Sequence, residues 1–207
     1  IEILDSTNVE YEIIIVDSCT PMDDTPDVCS TFQNVTYVNT LGVDNYGSAV
    51  KTGIKTISKE FTLFMDADGS HNPKLIPKIM EKIAKNGICI ASRYCLGGKT
   101  NDKVTSIFLS KLLNFVYSLI LRVSCSDWSG SFKMYETKLL KEIDLKSENF
   151  DIIPEIVFKT TKLNEDVDET ENLPSESTLF QGTIDNTKTK KEIRKQRKNI
   201  LKLAFAN

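Results

Sequence analysis

Several things are missing or scarce in these 207 residues, and each absence removes a class of function. There is no C-x-x-C pair, and the cysteines number five, an odd count. Neither a disulfide framework nor a thiolate zinc site is expected, and the thiols read as reduced and intracellular. A basic excess is also lacking, since the formal net charge is -3. A body that binds nucleic acid usually carries the opposite balance, so any anionic partner has to be met locally. Nothing at the N-terminus has the layout of a signal peptide, and the sequon Asn34-Val35-Thr36 is accordingly read as chance. No apolar run is clean enough to be expected to span a membrane. Val104 to Val123 comes nearest, but Lys111, Asn114 and Arg122 interrupt it. That stretch is expected as a helix mostly packed on the core, with a bilayer surface as the alternative.

At 40% hydrophobic, the chain can bury one sizeable core. Glu12 to Val16, EIIIV, is a β-branched run ending at Asp17, and the acidic, turn-rich SCTPMDDTPD behind it reads as a loop. Val35 to Val38 is a second strand. Ala49, Val50, Ile54 and Ile57 predict a helix from Gly47, which leads into a third strand at Phe61 to Met65. Pro73 opens a helix marked by Ile76, Ile79, Met80 and Ile83, Gly87 stops it, and Ile88 to Ala91 is the next strand. This alternation predicts an α/β fold of one domain, a mostly parallel sheet flanked by helices, with ligands at the carboxyl ends of the strands. Helical spacing recurs at Leu139 to Ile143 and Ile152 to Phe158, before an acidic loop, NEDVDETEN. The division expected is a compact body over residues 1–164 and an extension over 165–207. That extension ends in a basic helix or tail from Lys188, suited either to an anionic membrane surface or to solvent.

The segment FTLFMDADGSHNP carries the chemistry. Asp66 and Asp68, one residue apart at a strand end, can aim two carboxylates at one point, and packing them together without a cation is costly. With Asp17 at the same rim, oxygen ligands of this kind suit Mg²⁺ or Mn²⁺ shared with substrate phosphates. D-x-D alone is a common pattern, and its position behind an apolar strand is what adds weight.

EIIIVD, NYGSAVKTG, FTLFMDADGSHNP, ASRY and SDWSGSFKMY occur in an order that resembles the family 2 glycosyltransferases of the GT-A fold, and within them the polyprenyl-phosphate enzymes such as dolichol-phosphate mannosyltransferases. The likeness covers Ile3 to Lys162. It implies a Rossmann-like GT-A sheet, and transfer of a sugar from GDP-mannose or another nucleotide sugar to a dolichyl or polyprenyl phosphate. By the same likeness, Asp17, Asn45 and Gly47 meet the nucleotide, and Asp66 and Asp68 hold the metal and diphosphate with Ser70 as a further ligand. Arg93 faces phosphate, and Asp127 with Gly130 belongs to the acceptor side. Asp68, Arg93 and Asp127 are thus the catalytic candidates, with His71 orienting the metal ligands from behind or serving structure alone. A peripheral contact with the cytoplasmic face of a membrane is implied, that of the endoplasmic reticulum in a eukaryote, with room for a small membrane-anchoring subunit and no role for nucleic acid.

Two departures from that family stand out. The relatives begin with a central strand for which this chain has no counterpart after Ile1, so either residues precede Ile1 or another element has to protect the two neighbouring strands. Late in the chain, LFQGTIDNTK offers Thr187 and Lys188 to phosphate but has Gly182 where the relatives have an arginine, and lysine alone lacks the bidentate fork. A UDP-sugar donor, a hydroxyl acceptor, or a non-catalytic relative of the family are the alternatives these departures leave open.

Overall fold

The computed structural model describes residues 1–83, 87–94, 104–123, 125–167, 179–181 and 201–206. β-branched runs become strands as expected. β1 (Tyr11–Asp17) pairs in parallel with β2 (Val35–Asn39), and α3 (Tyr46–Thr56) then leads to β3 (Phe61–Asp66). A short 3₁₀ turn at Pro73–Leu75, capped by the Asn72 side chain, opens α4 (Ile76–Ile83). Gly87, at φ +66, then donates its N–H to Ile83 O at 3.2 Å and turns the chain into β4 (Ile88–Ser92). Two short helices, α1 (Glu2–Asp5) and α2 (Thr25–Ser30), also form, the second starting within the segment read as a loop and running three residues past it, with Pro26 in its first turn. After α5 (Val104–Leu121) come β5 (Lys133–Glu136), α6 (Thr137–Glu142), α7 (Ile152–Val167), β6 (Leu179–Gln181) and β7 (Leu201–Ala206).

Among the described residues these strands form one seven-stranded sheet ordered β2-β1-β7-β3-β5-β4-β6. Tracing the pairings, β1, β2, β3, β4 and β6 share one direction, while β5 and β7 oppose it. The alternation of side chains along a strand splits the core in two. Phe64 and Tyr135 face α3, α6 and α7 beside Val50, Leu140 and Ile156, whereas Leu63 and Met134 face α4 through Ile79.

The gap anticipated in the middle of the sheet is filled by β7, which pairs antiparallel with β1 from Tyr11↔Ala206 to Val16↔Leu201 and with β3 from Phe61↔Ala206 to Asp66↔Leu201. The expected basic helix or tail is corrected over these residues. L-K-L-A-F-A alternates with the period of a strand, and two strands with unpaired backbone groups offer it a ladder on both sides. Helix α7 also runs to Val167, past the start of the expected acidic loop. Lys188, Gly182 and Thr187 lie outside the described residues, as does most of the basic end.

Helix α5 corrects a second expectation. Phe108, Leu109, Phe115, Leu119 and Ile120 are exposed, and Asn114 is the one buried residue of the helix. Periodicity marks a helix as apolar without saying whether protein covers it. Lys111 is exposed and Arg122 lies just past the helix end, so the interruptions fall aside. By length and composition, with a mean hydropathy of 1.7, α5 is sufficient to cross a membrane.

One ion pair fixes a loop that reaches the site. Glu155, in the first turn of α7, accepts N–H groups from Lys146 at 2.9 Å and Ser147 at 2.8 Å, and pairs with Lys159 at 2.7 Å. Burial alone would raise its pKa, but Lys159 and the two amides outweigh that and hold it at about 2. Because the folded-state value is depressed, this stabilisation is complete above the ordinary 4.5 and is lost as pH falls toward 2. Thermal melts of Glu155→Gln should therefore lie about 2–6 °C below wild type at pH 7, with the gap closing as pH approaches that lower value. A gap of constant size across the range would separate Glu155 from this role.

Candidate active site

The functional side chains gather where β1, β3 and β4 end. Asp17 closes β1 and is 3% exposed. Its Oδ1 accepts the Ser18 N–H at 2.7 Å and its Oδ2 accepts the Tyr37 hydroxyl at 2.8 Å. Burial, and then this carboxylate, push Tyr37 up to about 12, so it stays a donor at any ordinary pH. Asn39, beside it on β2, donates to Ser18 O at 2.8 Å and to the Tyr37 hydroxyl at 3.1 Å. The strand end is thereby braced against the loop that follows.

The N-Y-G segment has its own logic. Asn45 caps α3 by accepting the Ser48 N–H at 2.8 Å. Gly47 donates its N–H to Glu148 O at 2.8 Å, and a Cβ there would meet the Glu148 main chain at 2.6 Å. Only glycine allows the loop held by Glu155 to approach this closely. Tyr46 between them stacks on Phe150, ring centroids 4.6 Å apart, and burial followed by the nearby Asp66 charge raises its pKa.

At the end of β3, Asp66 Oδ2 accepts the Ser131 hydroxyl at 2.7 Å. The Asp66 N–H donates to His71 Nδ1 at 3.0 Å, which leaves the imidazole proton on Nε2, 3.9 Å from Asp66 Oδ2. The ring stacks on Phe132 at 4.8 Å and 9°, and burial holds its pKa below the ordinary histidine value against the pull of Asp66 and Asp68. His71 is thus placed behind Asp66. Asp68 is exposed, and its Oδ1 accepts the Ser70 N–H at 2.9 Å across Gly69, which sits at φ +77. No group of three His, Cys, Asp or Glu side chains converges among the described residues. The donor set, one part-exposed and one exposed carboxylate, still fits a hard cation that takes two protein oxygens and completes its shell with phosphate and water.

Arg93, just past β4, meets Asp127 in a fork. Its Nε donates to Oδ2 at 2.9 Å and its Nη2 to Oδ1 at 2.8 Å, while the Arg93 main-chain N–H adds a third bond at 3.1 Å. Gly130 N–H supplies a fourth at 2.9 Å. Burial works against the Asp127 charge, but Arg93 and Lys133 outweigh it and keep the carboxyl below its ordinary range. Lys133, fully enclosed on β5, donates to Trp128 O at 3.1 Å and to Gly130 O, and burial lowers its pKa. It was not anticipated, although a lysine inside the apolar S-F-K-M-Y strand was a visible signal. Tyr37 was likewise missed, as a single hydroxyl without a motif of its own, and Ser131 was not singled out although it lies within the S-D-W-S-G-S-F segment. Of the anticipated residues, Asp17, Asn45, Gly47, Asp66, Asp68, Ser70, Arg93 and Asp127 lie on this rim or its adjoining loops, with Lys188 outside the description.

The sequence pattern of glycosyl transferase family 2 matches residues 2–144. The chain belongs to this family. A dolichol-phosphate mannosyltransferase from Pyrococcus furiosus is 31% identical over 166 residues, covering 73% of this chain and 45% of the relative. An undecaprenyl-phosphate mannosyltransferase from Micrococcus luteus is 27% identical over 168 residues, covering 74% of this chain and 68% of that one. The chain therefore spans a little under half of the first relative and about two thirds of the second. Among solved structures, glucosyl-3-phosphoglycerate synthase from Mycobacterium tuberculosis in complex with uridine diphosphate superposes with a TM-score of 0.58 at 13% identity, over 87% of this chain and 62% of that one. This family 2 chain accordingly has the GT-A fold, a sheet flanked by helices.

Proposed function

We propose that this family 2 protein is a metal-dependent inverting glycosyltransferase that moves a sugar, mannose from GDP-mannose, to a dolichyl or polyprenyl phosphate. The observation that carries this reading is the saturation of Asp127. Both of its oxygens are taken by Arg93 and by the Gly130 amide, and a carboxylate so occupied is a poor proton acceptor. A hydroxyl acceptor would need a general base, whereas a phosphate acceptor is already anionic and needs none. In the transfer, an acceptor phosphate oxygen forms a bond to the anomeric carbon from the side opposite the leaving group. The bond from that carbon to the diphosphate oxygen breaks, and the nucleoside diphosphate departs with the electron pair.

Each side chain has a part. Asp17, with Tyr37 and Asn39 behind it, presents a rigid acceptor to the nucleoside. Asp66 and Asp68 would hold Mg²⁺ or Mn²⁺, with Ser70 beside them. Such a cation supplies neutralisation of the charge that builds on the diphosphate. Arg93, oriented by Asp127, directs a guanidinium at the same charge. His71 and Ser131 fix the Asp66 carboxylate in position.

Helix α5 extends the reading to location. Its exposed apolar surface supports a peripheral contact with a bilayer, where a long-chain lipid phosphate resides; the cytoplasmic face, that of the endoplasmic reticulum in a eukaryote, is proposed from the family likeness alone. A small membrane-anchoring subunit would be compatible with that contact. Thermal melts with Mn²⁺ and either GDP-mannose or UDP-glucose test the donor, with stabilisation by GDP-mannose expected. Stabilisation by UDP-glucose alone would replace mannose in this assignment. Mass spectrometry of a short-chain polyprenyl phosphate incubated with protein, donor and Mn²⁺ tests the acceptor, and an unmodified lipid would sink transfer to phosphate.

A further inference from the structure

Asn114 is an oddity of place: a buried polar residue, 4% exposed, in a helix whose neighbours Leu113 and Phe115 are 44% and 63% exposed. Both ends of its amide are used. Nδ2 donates to Ser126 O at 2.8 Å, and Oδ1 accepts the Trp128 N–H at 3.1 Å. The two bonds grip the main chain on either side of Asp127. One turn further along α5, the Ser118 hydroxyl accepts the Trp128 indole N–H at 2.9 Å and donates to Cys125 O at 3.0 Å. Tyr117 rests against the indole, with ring centroids 5.8 Å apart. Residues 125–128 therefore hang from one face of α5, and Arg93 hangs from Asp127.

We infer that Asn114, seconded by Ser118, is a positioning residue for Arg93, setting the guanidinium through the Ser126–Trp128 main chain and the Asp127 carboxylate. The inference rests on the transfer reading above for its consequence and on geometry alone for its mechanism. Asparagine is the side chain the site requires, because it donates at one end and accepts at the other. Aspartate, of the same shape, would set an oxygen against the Ser126 carbonyl, and leucine would leave a buried carbonyl and a buried amide with no partner. Since the opposite faces of α5 carry its exposed apolar side chains, whatever they rest on also bears on Arg93.

The test compares Asn114→Asp and Ser118→Ala with wild type in the whole protein, each first checked for an unchanged far-UV spectrum and a cooperative melt. The Arg93 Nε–H resonance, assigned by its disappearance in Arg93→Lys, is followed by ¹⁵N NMR. In Asn114→Asp it should shift and exchange with water about tenfold faster, with Ser118→Ala changing it in the same direction by less. In transfer assays, kcat of Asn114→Asp should fall by about 10²-fold while the KM for the donor stays within about threefold, the split expected when a group acting in the transition state is misplaced. If Asn114→Asp does not fold, Ser118→Ala carries the comparison. An Arg93 signal identical to wild type in the folded variants overturns the inference. Failure of the wild type itself to transfer sugar would count against the proposed function instead, and the Arg93 resonance would then decide the positioning role by itself.

Discussion

Asp68→Ala is expected to remain folded and to lose sugar transfer by about 10²–10³-fold. The two halves of that expectation have separate causes. Asp68 is exposed, and among the described residues its one hydrogen bond is from the Ser70 amide, so its removal should shift stability by no more than about 0.5 kcal/mol. Its proposed worth lies in the negative charge it lends to a cation beside the departing diphosphate, which matters most when that charge is greatest. Asp66→Ala should lose comparable activity but also some stability, because the Ser131 hydroxyl and the His71 ring are arranged around that carboxylate. Product formation measured over a Mn²⁺ titration, beside melting curves of both variants, checks the pair. An Asp68→Ala protein with wild-type turnover would remove the cation from the mechanism.

Asp127→Ala should be the most damaging substitution for the fold. Four donors now converge on a carboxylate with 1% of its side chain exposed, and the Arg93 guanidinium facing it is itself three-quarters covered. Taking the anion away leaves a largely desolvated cation, with Lys133 enclosed nearby, at a cost of about 3–5 kcal/mol. For a chain of this length that is a fall of about 10 °C in Tm. Arg93→Lys keeps the charge but not the fork, and should melt closer to wild type while transferring poorly. Differential scanning calorimetry of the two variants measures the contrast. Equal melting temperatures for Asp127→Ala and wild type would show that the fork contributes no stability.

Much of this site could be read from residue order, and the limits of that reading are physical. Asp17, Asp66 and Asp68 were legible because an apolar strand that stops at an acid places the acid on a rim. Arg93 and Asp127 were legible as motif pieces, but their mutual fork was not, since they lie in different segments and meet only after β4 and β5 pair. Ser131 and Tyr37 act on partners distant in sequence, whereas Lys133 turns back on the carbonyls of Trp128 and Gly130, five and three residues earlier. The helix of α5 was recognisable, whereas its exposure depends on which other elements reach it. β7 was obscured because six alternating residues at the end of a basic stretch satisfy a helical pattern nearly as well as an extended one.

The chain contains a single tryptophan, Trp128, adjacent to Asp127, fully buried and hydrogen-bonded through its indole to Ser118 of α5. All indole emission from these 207 residues therefore arises beside the Arg93 fork. Without any label, the colour and quenching of that light report whether α5 and the loop it carries stay together when nucleotide, cation or vesicles are added.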